Sequence, residues 1–106
     1  MLKTREIGKA LIFLSTALIL VNLLTIFKLG MGYGQSMEPV IYEGDIIIIL
    51  REFIDCEHLG NGTIIVYDND KGASIIHRII EVRHTYDGGV YYWCQGDNNP
   101  DKDPSP

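Results

Sequence analysis

The stretch GYGQSMEPVIYEGD, Gly32 to Asp45, separates two kinds of sequence. Before it lies an unbroken apolar run. After it come short β-branched segments punctuated by turn residues. Gly30, Gly32 and Gly34 alternate with Met31, Tyr33 and Gln35, so every second position lacks a side chain that would obstruct an approaching backbone. Pro39 stiffens the chain just beyond Ser36 and biases Glu38 toward an extended conformation. A serine in this setting is either a turn residue or a nucleophile, and the flanking sequence has to decide.

Toward the N-terminus, Ala10 to Phe27 reads ALIFLSTALILVNLLTIF, with no charge and only Ser15, Thr16, Asn22 and Thr25 as polar interruptions. As a helix this run covers about 27 Å, close to the ~30 Å hydrocarbon core of a bilayer. Lys9 and Lys28 bracket it and can snorkel to the two interfaces. A cleaved signal peptide with the basic leader MLKTREIGK is the competing reading. It calls for a shorter apolar core ending in a small-residue site, whereas this run is longer and continues into KLGMGYG. We therefore expect an uncleaved transmembrane anchor at 10–29 after a cytoplasmic segment at 1–9. Lys3, Arg5 and Lys9 precede the run, and Lys28 is the only base after it until Arg51. That asymmetry puts the N-terminus in the cytoplasm and residues 31–106 outside, in a single-pass cell or endoplasmic-reticulum membrane protein.

The outer part carries 5 Lys/Arg against 13 Asp/Glu, a formal balance of −8, which argues against a nucleic-acid partner. A solubilising surface accounts for most of that charge. Cys56 and Cys94 lie where a disulfide can form and persist, but their separation is unlike a zinc-site spacing, and no metal or cofactor is expected. Asn61-Gly62-Thr63 fits the glycosylation pattern.

The outer segment reads as strands and turns. DIIIILRE (Asp45 to Glu52) suits a strand buried on both faces, and GTIIVY (Gly62 to Tyr67) is a second. ASIIHRIIEVRH (Ala73 to His84) and GVYYWC (Gly89 to Cys94) predict a hairpin around Asp87-Gly88-Gly89. No later segment holds a 3.6-residue apolar period. The expected fold class is mainly β: a small antiparallel β domain on one N-terminal transmembrane helix. CQGDNNPDKDPSP closes the chain, with Pro100, Pro104 and Pro106 blocking regular structure and a polar tip expected to fray.

Ser36 is eight residues past Lys28, so even fully extended it lies within about 28 Å of the membrane boundary. A weak nucleophile needs a base. His58 sits in an acidic connector and His84 at a hairpin end, both typical of solvated surface, while Lys71 sits in a DNDKG turn. His77 differs because it interrupts the aliphatic strand IIHRII, where an imidazole needs a polar partner, either backbone or catalytic. An acid to orient it would come from Asp97, Asp101 or Asp103, residues that equally serve as turn formers.

Ser36-Met37-Glu38-Pro39, a Gly-Asp-aliphatic strand, His77-Arg78 and Gly96-Asp97-Asn98-Asn99 followed by Asp103 together resemble type I signal peptidase. The chain is most similar to the archaeal and endoplasmic-reticulum branch, since histidine stands where the bacterial branch has lysine. GTIIVY sits at the family's Gly-Asp-aliphatic-Tyr strand, with Thr63 in place of the acid. The resemblance covers roughly residues 10 to 103. It implies a membrane-bound serine endopeptidase that needs no cofactor and removes signal peptides from exported preproteins after small residues at −1 and −3. Ser36 matches the nucleophile, His77 the general base and Asp103 the acid. Asp97 matches a second acid. Accessory membrane subunits fit the same picture.

The family continues past its GDNN box with at least one further strand, so the 31–106 domain is expected to be C-terminally incomplete. The alternative function is a catalytically inactive or truncated membrane-anchored β domain that binds signal peptides or regulates a complex.

Overall fold

The computed structural model describes residues 3–51 and 58–106. Cys56, and with it the question of a Cys56–Cys94 disulfide, lies outside them.

The apolar run folds as helix α1, Thr4–Ile26, about 34 Å long and without a buried residue. It starts and stops earlier than the 10–29 span read from hydropathy. Its polar members bond back to the helix: Thr16 Oγ1–H to the Ile12 carbonyl, Asn22 Nδ2–H to Leu18 and Thr25 Oγ1–H to Asn22, each 2.8 Å. Each bond pairs a side-chain donor with a helix carbonyl inside the apolar run. The helix is long and apolar enough to cross a membrane.

At Phe27 the backbone turns extended (φ −115°, ψ 154°) and runs without a linker into β1, Phe27–Met31. The partner strand β2, Ile46–Leu50, pairs antiparallel with it, Phe27 opposite Leu50 and Met31 opposite Ile46. Just past β2, the Arg51 N–H donates to the Ile26 carbonyl at 2.9 Å and its guanidinium to Leu24 at 3.2 Å. Two orphan carbonyls of the helix end are thus satisfied, with a cation at its negative pole.

The second sheet has the order β3-β4-β5 and is antiparallel throughout. Strand β3 is Ile64–Asp68, β4 Ser74–His84 and β5 Val90–Gln95. The β4–β5 turn is closed at Gly88, whose φ of 86° is open to glycine at no steric cost. Ile79, at 0% exposure, is the centre of a small core that includes Met37 and Cys94. No helix follows α1 among the described residues.

Two expectations need correction. The Asp45–Glu52 segment is not buried on both faces. Leu29, Met31, Ile46 and Ile48 stand 60–75% exposed on one side of the β1–β2 ribbon, while Ile47 and Ile49 on the other line a cleft. Nor is the proline-rich tail loose at its acid. The Asp103 N–H donates to the Cys94 carbonyl at 2.8 Å, and the Lys102 ammonium sits 4.2 Å from the Trp93 ring centroid.

Candidate active site

A cleft of about 360 Å³ opens between the two sheets. One wall is β1 with the loop that follows it, and the other is the first half of β4, Ser74 to His77. Among the described residues, β1 pairs with β2 alone, and β4 pairs with β5 only from Arg78 onward. Each wall therefore presents a strand edge whose backbone groups face the cleft without a strand partner. Small side chains matter here: a Cβ on Gly32 would stand 2.7 Å from the Tyr42 carbonyl oxygen, so only glycine lets the chain fold back this closely.

Ser36 lines the cleft from a tight turn, with the Val40 and Ile41 N–H groups both bonded to the Met37 carbonyl at 2.9 Å. The Glu38–Pro39 peptide is cis. The GDNN loop anchors this turn from behind. The Asn98 N–H donates to the Ser36 carbonyl at 2.8 Å and its side-chain amide to Gln35 at 3.0 Å, while buried Met37 takes the Asp97 N–H on sulfur.

His77 stands in β4 opposite Ile65 and is 8% exposed. Its Nε2 lies 3.2 Å from Ser36 Oγ, and its Nδ1 lies 2.7–2.8 Å from both oxygens of Asp103. An ionised carboxylate only accepts, so it fixes the proton on Nδ1 and leaves Nε2 as the acceptor for the serine hydroxyl. Asp103 is itself buried, and it also accepts a hydrogen bond from the Tyr67 hydroxyl. Burial first, then the bond to Asp103 and its charge, pushes the Tyr67 phenol far above its ordinary range. Burial and the same carboxylate also raise the Cys94 thiol.

Of the four residues read as candidates, Ser36, His77 and Asp103 lie in one hydrogen-bonded line. The Asp97 carboxylate points elsewhere. Arg78 grips it through Nε and Nη2 at 2.9 and 2.8 Å, and donates Nη1 to the Gly62 carbonyl at 2.8 Å. That fork holds Asp97 below the usual carboxylate range. His58, His84, Lys71 and Asp101 are exposed. Tyr67 is a further residue of the site: it ends the strand GTIIVY, and only the pairing of Ile65 with His77 puts it on the sheet face that carries the imidazole. No group of side chains suited to a metal ion occurs among the described residues.

No family model and no solved structure matches the chain. The chain is similar to Signal peptidase I W of Bacillus subtilis (strain 168), 31% identical over 71 residues. Those residues are 67% of this chain and 36% of that protein, so the chain spans about a third of the relative's length.

Proposed function

We propose that the chain is a membrane-bound serine endopeptidase that removes signal peptides from exported preproteins. The observation that carries this reading is the line Ser36 Oγ–His77 Nε2–His77 Nδ1–Asp103 beside a cleft bordered by two open strand edges. The similarity to a signal peptidase I supports it.

The substrate enters extended, adding a strand against the free edges of β1 and of Ser74–His77, its main chain bonded to theirs. Small side chains at −1 and −3 suit a cleft floored by Ile47, Ile49 and Val66. Ser36 Oγ attacks the scissile carbonyl while Nε2 of His77 takes its proton, and Asp103 stabilises the imidazolium that forms. The Ser36 backbone N–H is the natural donor to the oxyanion. The tetrahedral adduct then expels the amine, which takes its proton from His77, leaving an acyl-Ser36 ester. Water, deprotonated by His77, hydrolyses the ester and returns the proton to Ser36. Histidine as the base is what relates the site to the archaeal and endoplasmic-reticulum branch.

On this reading residues 1–9 are cytoplasmic, the anchor crosses the bilayer once, and 31–106 form the extracytoplasmic catalytic domain, to which accessory membrane subunits add. Phe27 joins helix to strand without a linker, which keeps Ser36 near the membrane surface where preproteins emerge. The test is incubation of the chain in liposomes with a preprotein, followed by sequencing of the product's new N-terminus. We expect one cut after a small residue, abolished when the −1 residue is made bulky. A cut insensitive to that change contradicts the proposal.

A further inference from the structure

The peptidase reading leaves one well-placed residue without a role. The buried carboxylate of Asp103 receives hydrogen bonds from two side chains, His77 through Nδ1–H and Tyr67 through its hydroxyl. Tyr67 reaches it from β3. Ile65 is paired with His77, so Tyr67, two residues on, shares the face of the sheet that carries the imidazole. The two rings meet edge to face, centroids 6.4 Å apart at 68°. The titratable groups converging here are Tyr67 from β3, His77 from β4, Cys94 from β5 and Asp103 from the tail. With its ionisation pushed far upward, the phenol keeps its proton and remains a donor to the carboxylate.

A carboxylate bonded to one ring nitrogen alone can rotate about its Cβ–Cγ bond and take the imidazole with it. A second donor from another strand fixes its plane. The long contact in the line is the 3.2 Å between Nε2 and Oγ, so a small rotation of the ring is felt first at the nucleophile.

We propose that Tyr67 is a positioning residue for the peptidase reaction, fixing the Asp103 carboxylate so that His77 stays aimed at Ser36. This rests on the serine peptidase reading. Tyr67 touches neither substrate nor nucleophile and acts through Asp103, so its effect has to vanish when that carboxylate is gone.

The experiment compares four versions of the full chain in detergent micelles: unmodified, Tyr67→Phe, Asp103→Asn, and the double variant. Two measurements are made on each, preprotein cleavage kinetics and a pH titration of the tyrosine ring-carbon resonances. Tyr67→Phe, which keeps the ring, is expected to lower kcat roughly 10- to 100-fold with KM unchanged. In the Asp103→Asn background the same change is expected to add nothing. Equal losses in both backgrounds would overturn the proposal, because Tyr67 would then support the fold independently of Asp103. In the unmodified chain the Tyr67 ring is expected to keep its proton well above the ordinary phenol range, and Asp103→Asn to bring its midpoint down. A midpoint that ignores Asp103→Asn overturns the contact itself. A chain that shows the expected titration yet cuts nothing overturns the peptidase reading, and the positioning role with it, while leaving the phenol–carboxylate bond standing.

Discussion

Gly96 lies so close to Ser36 that a Cβ built on it would stand 2.6 Å from the Ser36 carbonyl oxygen and 3.0 Å from His77 Nε2. The GDNN loop therefore presses its backbone directly against the serine turn and the imidazole, and the Asn98 N–H locks the contact from the next turn of the loop. Gly96→Ala has to push main chain aside, since a carbonyl oxygen cannot swing away as a flexible side chain would. We expect it to cost about 1–3 kcal/mol in urea unfolding and at least 100-fold, as an order of magnitude, in cleavage. Gly60→Ala meets nothing within 4 Å and serves as the control, with stability within about 0.5 kcal/mol of the unmodified chain.

The Arg78–Asp97 fork makes a prediction with a definite pH sign. Arg78 holds the Asp97 carboxyl below its usual range, so the folded chain takes up that proton at lower pH than the unfolded chain. The stabilisation is complete above the ordinary carboxylate range near pH 4 and is lost as the pH falls through the depressed folded value. Both side chains are partly solvated, so the effect is modest, on the order of 1 kcal/mol. Asp97→Asn should lower stability at neutral pH by that amount and converge with the unmodified chain in acid. Denaturant unfolding at stepped pH values checks this, and a gap that persists unchanged at the acid end contradicts it.

Ile79 tests whether the second sheet has a core of its own. It is fully buried, its N–H bonds the Thr63 carbonyl at 2.8 Å, and its carbonyl accepts from Gly62 at 2.7 Å. Truncation leaves those backbone bonds in place and removes only packing. Ile79→Ala should cost about 2–5 kcal/mol and Ile79→Val about 0.5–1.5 kcal/mol. In so small a domain the alanine variant is expected to sit near its unfolding midpoint at room temperature, visible by circular dichroism.

Much of this fold is legible in the chain because its local signals agree. GTIIVY, ASIIHRIIEVRH and GVYYWC are β-branched or aromatic runs bounded by turn residues, and they appear as β3, β4 and β5 within a residue or two. Strand β1 is not legible. FKLGM reads as the end of an apolar run, and only its pairing with Ile46–Leu50, some twenty residues on, makes it a strand. The same long-range pairing exposes one face of IIIIL, which its composition alone suggests is buried. The resemblance to signal peptidase nominates Ser36, His77 and Asp103, but their separations depend on how two sheets and a tail meet. The fixing of the tail was hidden for a similar reason. Prolines predict the absence of regular structure there, whereas the bond from Asp103 to Cys94 and the stacking of Lys102 on Trp93 depend on β5 lying alongside. Tyr67 shows the limit most clearly: its role depends on register, which no single strand contains.

Preprotein cleavage by the full chain in liposomes, run beside Ser36→Ala and His77→Ala with folding of each verified by circular dichroism, is the most direct measurement. The unmodified chain should make a single cut that is lost in both variants. A folded chain that does not cut would contradict the serine peptidase reading and favour a membrane-anchored module that binds signal peptides without hydrolysing them, and a cut that survives Ser36→Ala would contradict Ser36 as the nucleophile.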